Sequence, residues 1–183
     1  MYEIRIHGLG GQGVVTMTDI LALAIFYEGY QVQAFPYFGP ERTGSPVTGY
    51  VRFDRKVINI RQQIYEPDLI IVLDESLLTK IKVAEGAKKN SQLLINTQKS
   101  LSDVSPATKL PIKNISLYHT DKPTDKSSNI QILGYCLKKY NLAGLENCLK
   151  AIKEKMSNKD KEIIKNNLKA AELGYDFAKK TTT

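Results

Sequence analysis

A glycine-rich stretch near the N-terminus holds the residues whose types and spacing suit ligand binding best. Residues 7–14 read His-Gly-Leu-Gly-Gly-Gln-Gly-Val, and three of the glycines have the spacing of a dinucleotide-binding turn. Glycine allows a strand to turn sharply into a helix, and the first helical N–H groups stay open to an anion or a carbonyl. The candidate ligand- or subunit-contacting residues of this turn are Gly8, Gly10, Gly11, Gln12 and Gly13.

Dinucleotide binding needs a second feature that this sequence lacks. An acidic side chain about 20 residues further on, at the end of the second strand, would hold the ribose hydroxyls. The second strand is predicted over 31–35 and runs into Pro36 without an acid, while Glu28 falls at the end of the preceding helix. No Gly-Lys-Ser/Thr is present, which excludes a P-loop. Two alternatives therefore stay open. The chain could be a stand-alone NAD(P)- or FAD-binding oxidoreductase, or the turn could serve only to pack the helix against the strand.

Residues for acid–base or metal chemistry are scarce. His7 and His119 each lie at a predicted strand end, where we expect a structural role. Cys136 and Cys148 lack the Cys-x-x-Cys spacing of metal and cluster sites, and we expect buried thiols in a reducing compartment. The sequence therefore predicts no catalytic residue and no metal ligand in this chain.

A second candidate contact surface is rich in proline, glycine and aromatic residues. Residues 36–46 contain three prolines and two glycines, which predicts a loop and neither a helix nor a regular strand. Aromatic side chains on a long loop are typical of a binding surface, although they could also fold back onto the core. Arg42 could bind a carboxylate or a phosphate, or pair within the loop. The candidate interface residues are Tyr37, Phe38, Gly39, Pro40, Glu41, Arg42, Thr43 and Gly44.

The elements that must position these two stretches alternate between strands and helices. The predicted strands cover 3–7, 31–35, 47–53, 56–60, 69–73, 91–96 and 114–119. A short turn at Asp54-Arg55 predicts a hairpin between 47–53 and 56–60. Helices are predicted over 15–27, over 77–84 and through the C-terminal part at about 127–180, where Ser157 caps the last one. We expect a three-layer α/β/α fold with a mostly parallel, mixed sheet, a Rossmann-like start and a helical C-terminus.

Length and charge limit the remaining classes of function. A chain of 183 residues with 42% hydrophobic residues is expected to form one domain over 1–183. No apolar run suits a membrane span and no secretory leader is recognisable, so we expect a cytoplasmic protein without membrane contact. Residues 1–79 carry 6 Lys/Arg and 9 Asp/Glu, a net of −3, whereas residues 80–183 carry 20 and 10, a net of +10. The lysines lack interleaved aromatic residues, which favours a solvated surface over a nucleic-acid site.

The two motifs together resemble one family. The stretch 7–14, with its Gly-Gly-Gln-Gly core, and the stretch 38–47, Phe-Gly-Pro-Glu-Arg-Thr-Gly-Ser-Pro-Val, are similar to the gamma subunit of 2-oxoacid:ferredoxin oxidoreductases. The second motif is closer to the pyruvate and ketoisovalerate members. Residues 166–175 are similar to the family's final helix, so the resemblance covers essentially the whole chain.

The resemblance implies one subunit of an enzyme that oxidatively decarboxylates a 2-oxoacid, with pyruvate preferred, to acyl-CoA and reduces ferredoxin. It implies that thiamine diphosphate, magnesium and iron–sulfur clusters lie on companion subunits of alpha, beta and delta type, and that this chain alone binds no cofactor. The glycine turn and the 38–46 loop are then expected to face those subunits and to border the cleft for coenzyme A. The isolated chain is expected to be inactive, and whether two copies form a homodimer stays open.

Overall fold

The computed structural model describes residues 1–38, 44–120 and 127–181. Its strands are β1 (Tyr2–Leu9), β2 (Gln31–Phe38), β3 (Pro46–Asp54), β4 (Leu69–Val72), β5 (Gln92–Asn96) and β6 (Ile115–Tyr118). Its helices are α1 (Val14–Tyr27), α2 (Leu77–Lys80), α3 (Leu101–Thr108), α4 (Ser128–Lys139), α5 (Leu145–Lys155) and α6 (Lys161–Thr181), and a 3₁₀ turn covers Ile112–Asn114.

The strands form one mixed six-stranded sheet in the order β2-β3-β1-β4-β5-β6. The neighbours β1, β4, β5 and β6 are parallel, whereas β3 runs antiparallel to both β1 and β2. Every strand except β3 therefore points the same way. This confirms the predicted α/β class with a mostly parallel, mixed sheet between helical layers.

Helices α1, α4, α5 and α6 cover one face of the sheet and enclose the larger core. Ile4, Ile6 and Val51 of the strands pack in this core with the apolar side of α1. Small residues let the layers approach closely: a Cβ on Gly49 would clash with Thr18 of α1. A Cβ on Gly174 of α6 would clash with the backbone of α4, so these two helices pack almost backbone to backbone.

The other face of the sheet has two different covers. Over β4, β5 and β6, helices α2 and α3 close a smaller apolar core, whose buried strand residues include Ile70, Val72 and Leu93. Over β2, β3 and β1, the described residues place no helix. The cover there is an irregular segment between β3 and β4, residues 55–66, which we name the strap.

The predicted hairpin about Asp54-Arg55 is wrong. Residues 56–60 form no strand, and β3 pairs with β2, so that the hairpin closes at the opposite end of β3. The loop predicted to start at Pro36 is also too long, because β2 continues to Phe38 and Pro36 lies opposite Gly49. β2 is an edge strand, and an edge strand tolerates a proline that lacks the N–H.

Three helix boundaries also differ from the predictions. Helix α2 ends at Lys80 instead of Ala84, because Ile81 adopts an extended conformation. Helix α3 falls in a region interpreted as a connection, and a capping box of Ser100 and Asp103 starts it. The final helix begins at Lys161 and is not capped by Ser157. Ser157 lies instead in the turn that ends α5, where its N–H donates to the Glu154 carbonyl.

Candidate functional site

The glycine turn joins the end of β1 to the start of α1 through residues 8–13, which we name the glycine corner. Gly11 and Gly13 have φ values of +92° and +73°, in the left-handed region that favours glycine. A Cβ on Gly8 would clash with Val14, whereas no atom lies within 4 Å of the position of a Cβ on Gly11. Gly8 therefore serves the close packing of strand and helix, and Gly11 faces open space.

The Gln12 side chain stabilises the glycine corner through two hydrogen bonds. Its Oε1 accepts from the Leu9 N–H at 2.8 Å, and its Nε2 donates to Asp74 Oδ2 at 2.7 Å. Burial would raise the pKa of the Asp74 carboxyl, but hydrogen bonds from Ser76 and Gln12 outweigh it and hold that pKa below its usual value. The Gln12 amide thus ties the end of β1 to a carboxylate that follows β4.

Two further contacts fasten the glycine corner to distant parts of the chain. Asn129 at the start of α4 donates from Nδ2 to the Gly13 carbonyl at 3.1 Å. The Gly10 N–H donates to the Ser45 carbonyl at 2.8 Å, and the Gly44 N–H donates to the Gly10 carbonyl at 3.3 Å. The two motifs that the sequence analysis singled out therefore meet directly in the fold.

A cleft of about 790 Å³ opens beside the glycine corner. The start of α1, the residues after β4, the start of α4 and parts of α5 and α6 line it. Lys155 and Lys159 lie on its wall; Lys155 pairs with Asp19 at 2.5 Å, and Lys159 has no ion pair within the described ranges. The N-terminus of α1 and the lysines together favour an anionic ligand in this cleft.

The structure places the predicted interface residues in three groups. Tyr37 lies on β2 with half of its side chain exposed. Phe38 ends β2 opposite Val47 in the backbone register. Gly44, at φ +86°, leads back to the glycine corner. The positions outside the described residues are Gly39, Pro40, Glu41, Arg42 and Thr43.

Neither histidine lies in the cleft. His7 is buried, and burial together with the neighbouring Arg5 charge lowers its pKa to about 3, so the imidazole is neutral at physiological pH. Its Nδ1 is 3.3 Å from Thr48 Oγ1. His119 is exposed at the end of β6. We infer a structural role for His7 and find no site around His119.

The cysteines do not fit a metal or cluster site. Cys136 and Cys148 are both fully buried free thiols. Burial raises the pKa of the Cys148 thiol to about 12 and that of Cys136 still further, which keeps both protonated. Throughout residues 1–38, 44–120 and 127–181, no group of three potential ligands among His, Cys, Asp and Glu could hold a metal ion.

Sequence reasoning missed part of the site. Asp74 was not among the predicted site residues, although the end of a central parallel strand is where α/β folds place functional groups. Asn129, Lys155 and Lys159 reach the glycine corner from more than 100 residues away, and no local pattern marks them. In the part of the chain that the structure describes, no helix combines the length and apolar character that a bilayer crossing requires.

A family model described as pyruvate ferredoxin/flavodoxin oxidoreductase matches residues 3–177. The chain belongs to this family. It is 42% identical over 181 residues to a protein of Pyrococcus abyssi named pyruvate/ketoisovalerate oxidoreductases common subunit gamma, with 96% of each chain covered. It is also 42% identical over 177 residues to a pyruvate synthase subunit PorC of Methanocaldococcus jannaschii, again with 96% of each covered.

A solved structure agrees with these relatives. The crystal structure of a pyruvate oxidoreductase subunit from Thermotoga maritima superposes with a TM-score of 0.77 at 30% identity, and covers 96% of this chain and 95% of that one. The family indicated by the two motifs is thereby confirmed, and the chain is a gamma-type subunit of an oxidoreductase complex. Because the chain belongs to this family, the alternative of a stand-alone dinucleotide-binding enzyme is not favoured.

Proposed function

We propose that this chain is the gamma subunit of a 2-oxoacid:ferredoxin oxidoreductase that converts pyruvate to acetyl-CoA in the cytoplasm and passes the electrons to ferredoxin. Residues 1–183 form its single domain, with the helical part at about 127–180. The subunit carries no cofactor of its own and is inactive alone. Thiamine diphosphate, magnesium and the iron–sulfur clusters belong to alpha-, beta- and delta-type companions, since the buried cysteines here do not suit a cluster.

The observation that carries the proposal is the direct contact between the two family motifs at the glycine corner, which borders the cleft. The glycine corner is held by Gln12, Asn129 and the backbone of Gly44 and Ser45, so its shape is fixed before any partner binds. Gly11 faces open space, and the half-exposed Tyr37 adds apolar surface. A fixed backbone with an exposed aromatic residue is suited to docking, because little entropy is lost on binding.

The cleft beside the glycine corner is proposed to form one wall of the entry for coenzyme A. Coenzyme A carries phosphate groups, and the start of α1 directs its first N–H groups and the positive end of its dipole at the cleft. Lys159 adds a cation without a carboxylate partner in the described part of the chain, whereas the charge of Lys155 is compensated by Asp19. The role of this subunit in turnover is therefore to bind and orient the phosphate end of the acyl acceptor.

The proposed preference for pyruvate rests on the relatives. The protein of Pyrococcus abyssi is named for both pyruvate and ketoisovalerate, whereas that of Methanocaldococcus jannaschii is named for pyruvate alone. The substrate pocket itself is assigned to the companion subunits, since the described residues of this chain hold no candidate acid–base group at the cleft other than Asp74, which is tied to Gln12.

Steady-state kinetics of the whole complex test the coenzyme A wall. Lys159→Ala is expected to raise the KM for coenzyme A several-fold and to leave kcat and the KM for pyruvate unchanged, because a phosphate contact remote from the reacting atoms contributes uniform binding. Lys161→Ala removes a lysine two residues away that does not line the cleft and serves as the control. Equal KM values for coenzyme A in both variants and the unsubstituted complex would refute this role.

A further inference from the structure

The strap, residues 55–66, is an unusual cover for half a sheet. It contains neither helix nor strand, yet it lies over β2, β3 and β1 on the face opposite α1. Irregular segments of this length in compact domains commonly have a function of their own. Its backbone carbonyls need hydrogen-bond donors, and the sheet beneath supplies them from side chains.

Two buried arginines hold the strap from below. Arg52 of β3 donates to the Ile60 carbonyl at 3.2 Å and to the Gln62 carbonyl at 2.6 Å. Arg5 of β1 donates to the Ile64 carbonyl at 3.5 Å and continues beyond the strap to the carbonyls of Val83 and Glu85, at 3.0 and 2.6 Å.

The edge strand β2 provides a third hydrogen-bond donor to the strap. Gln33 of β2 donates from Nε2 to the Ile58 carbonyl at 3.0 Å. The strap is thus fixed at alternate carbonyls, those of Ile58, Ile60, Gln62 and Ile64.

Burying charged arginine side chains is energetically unfavourable if the segment they hold only covers a core. Arg52 is fully buried, and its charge is compensated by Glu3 at 3.3 Å. Burying a guanidinium costs more than burying an apolar side chain of similar size, even when it is paired. What the arginines provide, and an apolar cover would not, is a defined backbone path.

The fixed backbone presents apolar side chains to solvent. Val57 is 74% exposed, Tyr65 is 62% exposed and Ile60 is 36% exposed. Tyr37 lies on the same face of β2 as Gln33, the side chain that bonds to the strap. The strap therefore adds exposed apolar side chains to the face of the sheet that carries Tyr37.

The charges of the strap indicate the character of its partner. The strap contains three cations, Arg55, Lys56 and Arg61, and one carboxylate, Glu66, a net of +2. Arg55 lies over the Tyr30 ring at 3.8 Å, whereas Lys56 and Arg61 are exposed and have no ion pair in the described ranges. A second copy would present the same cations to the strap across a two-fold axis, and the chain as a whole carries +7, so self-association is disfavoured.

We propose that the strap is a preorganised docking surface for an acidic, partly apolar protein surface on another subunit of the complex, separate from the glycine corner. Val57, Ile60 and Tyr65 make the apolar contact, and Lys56 and Arg61 meet carboxylates around it. The inference rests on the proposed function, because it assumes that companion subunits exist.

The affinity of this chain for the remaining subunits of the native complex tests the inference. Tyr65→Glu is expected to weaken that affinity by about tenfold or more, because a charge replaces a desolvated aromatic contact. Arg61→Glu is expected to weaken it less and to reduce its salt dependence. Ile112→Glu changes an equally exposed apolar residue on the 3₁₀ turn and should have no effect. Unchanged thermal unfolding of each variant shows that folding is intact.

The outcomes separate this inference from the proposed function. If the unsubstituted chain binds the companion subunits and Tyr65→Glu binds them equally well, the strap inference is refuted and the proposed function stands. If the unsubstituted chain does not bind them at all, both fail. If the isolated chain forms a dimer in sedimentation experiments and Tyr65→Glu abolishes it, the strap binds a second copy, which also overturns the inference.

Discussion

The two faces of the β2-β3-β1 half of the sheet are covered by contrasting means. On one face, α1 packs apolar side chains onto Ile4, Ile6 and Val51, and Gly49 lets the helix approach closely. On the other face, the strap is tied through its carbonyls to Arg5 and Arg52. The helix forms its own backbone hydrogen bonds and contributes apolar area, whereas the carbonyls of the strap accept hydrogen bonds from side chains of the sheet.

The contrast shows how one sheet can combine a stable core with a shaped surface. Apolar packing against α1 is non-directional and stabilises in proportion to the area buried. Guanidinium–carbonyl bonds are directional, so they fix the path of a segment that has no periodic structure of its own. The two faces should therefore respond differently to substitution.

Removing the fully buried guanidinium should cause the largest loss. Arg52→Met leaves Glu3 and the carbonyls of Ile60 and Gln62 without their partner. We expect the free energy of unfolding to fall by about 3–5 kcal/mol in urea titrations. Arg55→Met, which removes an exposed guanidinium that also donates to backbone carbonyls, should cost less than about 1 kcal/mol. Equal losses in the two variants would contradict the anchoring role of Arg52.

The helix-covered face should be sensitive to added volume. Gly49→Ala places a methyl group against Thr18 of α1, and we expect a loss of about 1–3 kcal/mol from overpacking. Adding Thr18→Ala removes the clashing hydroxyl, so the double variant should lose less stability than the sum of the two single variants. A double-mutant cycle in urea measures this coupling, and a strictly additive cycle would show that α1 does not press on β3.

The buried imidazole should make stability depend on pH. The folded pKa of His7 is about 3 against an ordinary value of 6.5, so the unfolded chain takes up the proton first. The stabilisation is therefore complete above pH 6.5 and is lost as pH falls towards 3, by about 2 kcal/mol between pH 6.5 and about pH 5. His7→Gln should remove most of this dependence in unfolding titrations at several pH values. An unchanged pH profile in the variant would assign the effect to other groups.

The smallest effect is expected at the glycine corner, where a neutral amide holds the backbone. Gln12→Ala removes the neutral bond from Leu9 and the charge-assisted bond to Asp74, and we expect a loss of about 1 kcal/mol, since Ser76 and the solvent of the cleft still stabilise the carboxylate. Gln92→Ala, at an amide whose hydrogen bond within the described residues is to the nearby Asn90 carbonyl, is the matched control. A loss as large as that of Arg52→Met would remove the distinction between the glycine corner and the strap.

The β1–turn–α1 unit could be predicted from the sequence almost to the residue. Alternating Ile4 and Ile6, four clustered glycines and an apolar helical run are local signals, and local physics decides them. The family motifs likewise led to the correct family, because both lie on short continuous stretches. The full α/β architecture followed from the order of the elements.

The strap and the cleft could not be predicted, because distant residues determine them. The alternation of Ile58 and Ile60 suits a strand, but Arg52 and Gln33 take up their carbonyls and leave none for a neighbouring strand. Arg5 lies between two buried isoleucines of β1 and is buried itself, because its guanidinium donates to the carbonyls of three distant residues. Lys159 lines the same cleft as Gly11 and Gly13 only because α5 packs against both α1 and α6.

Native mass spectrometry of material purified from the source cell through a tag on this chain tests the central claim most directly. The account predicts a multisubunit assembly in which thiamine diphosphate and iron–sulfur clusters are carried by the companion chains, while this chain, once released, has its unmodified mass and no bound cofactor. Recovery of the chain alone, or with a nicotinamide or flavin nucleotide bound to it, would contradict the account.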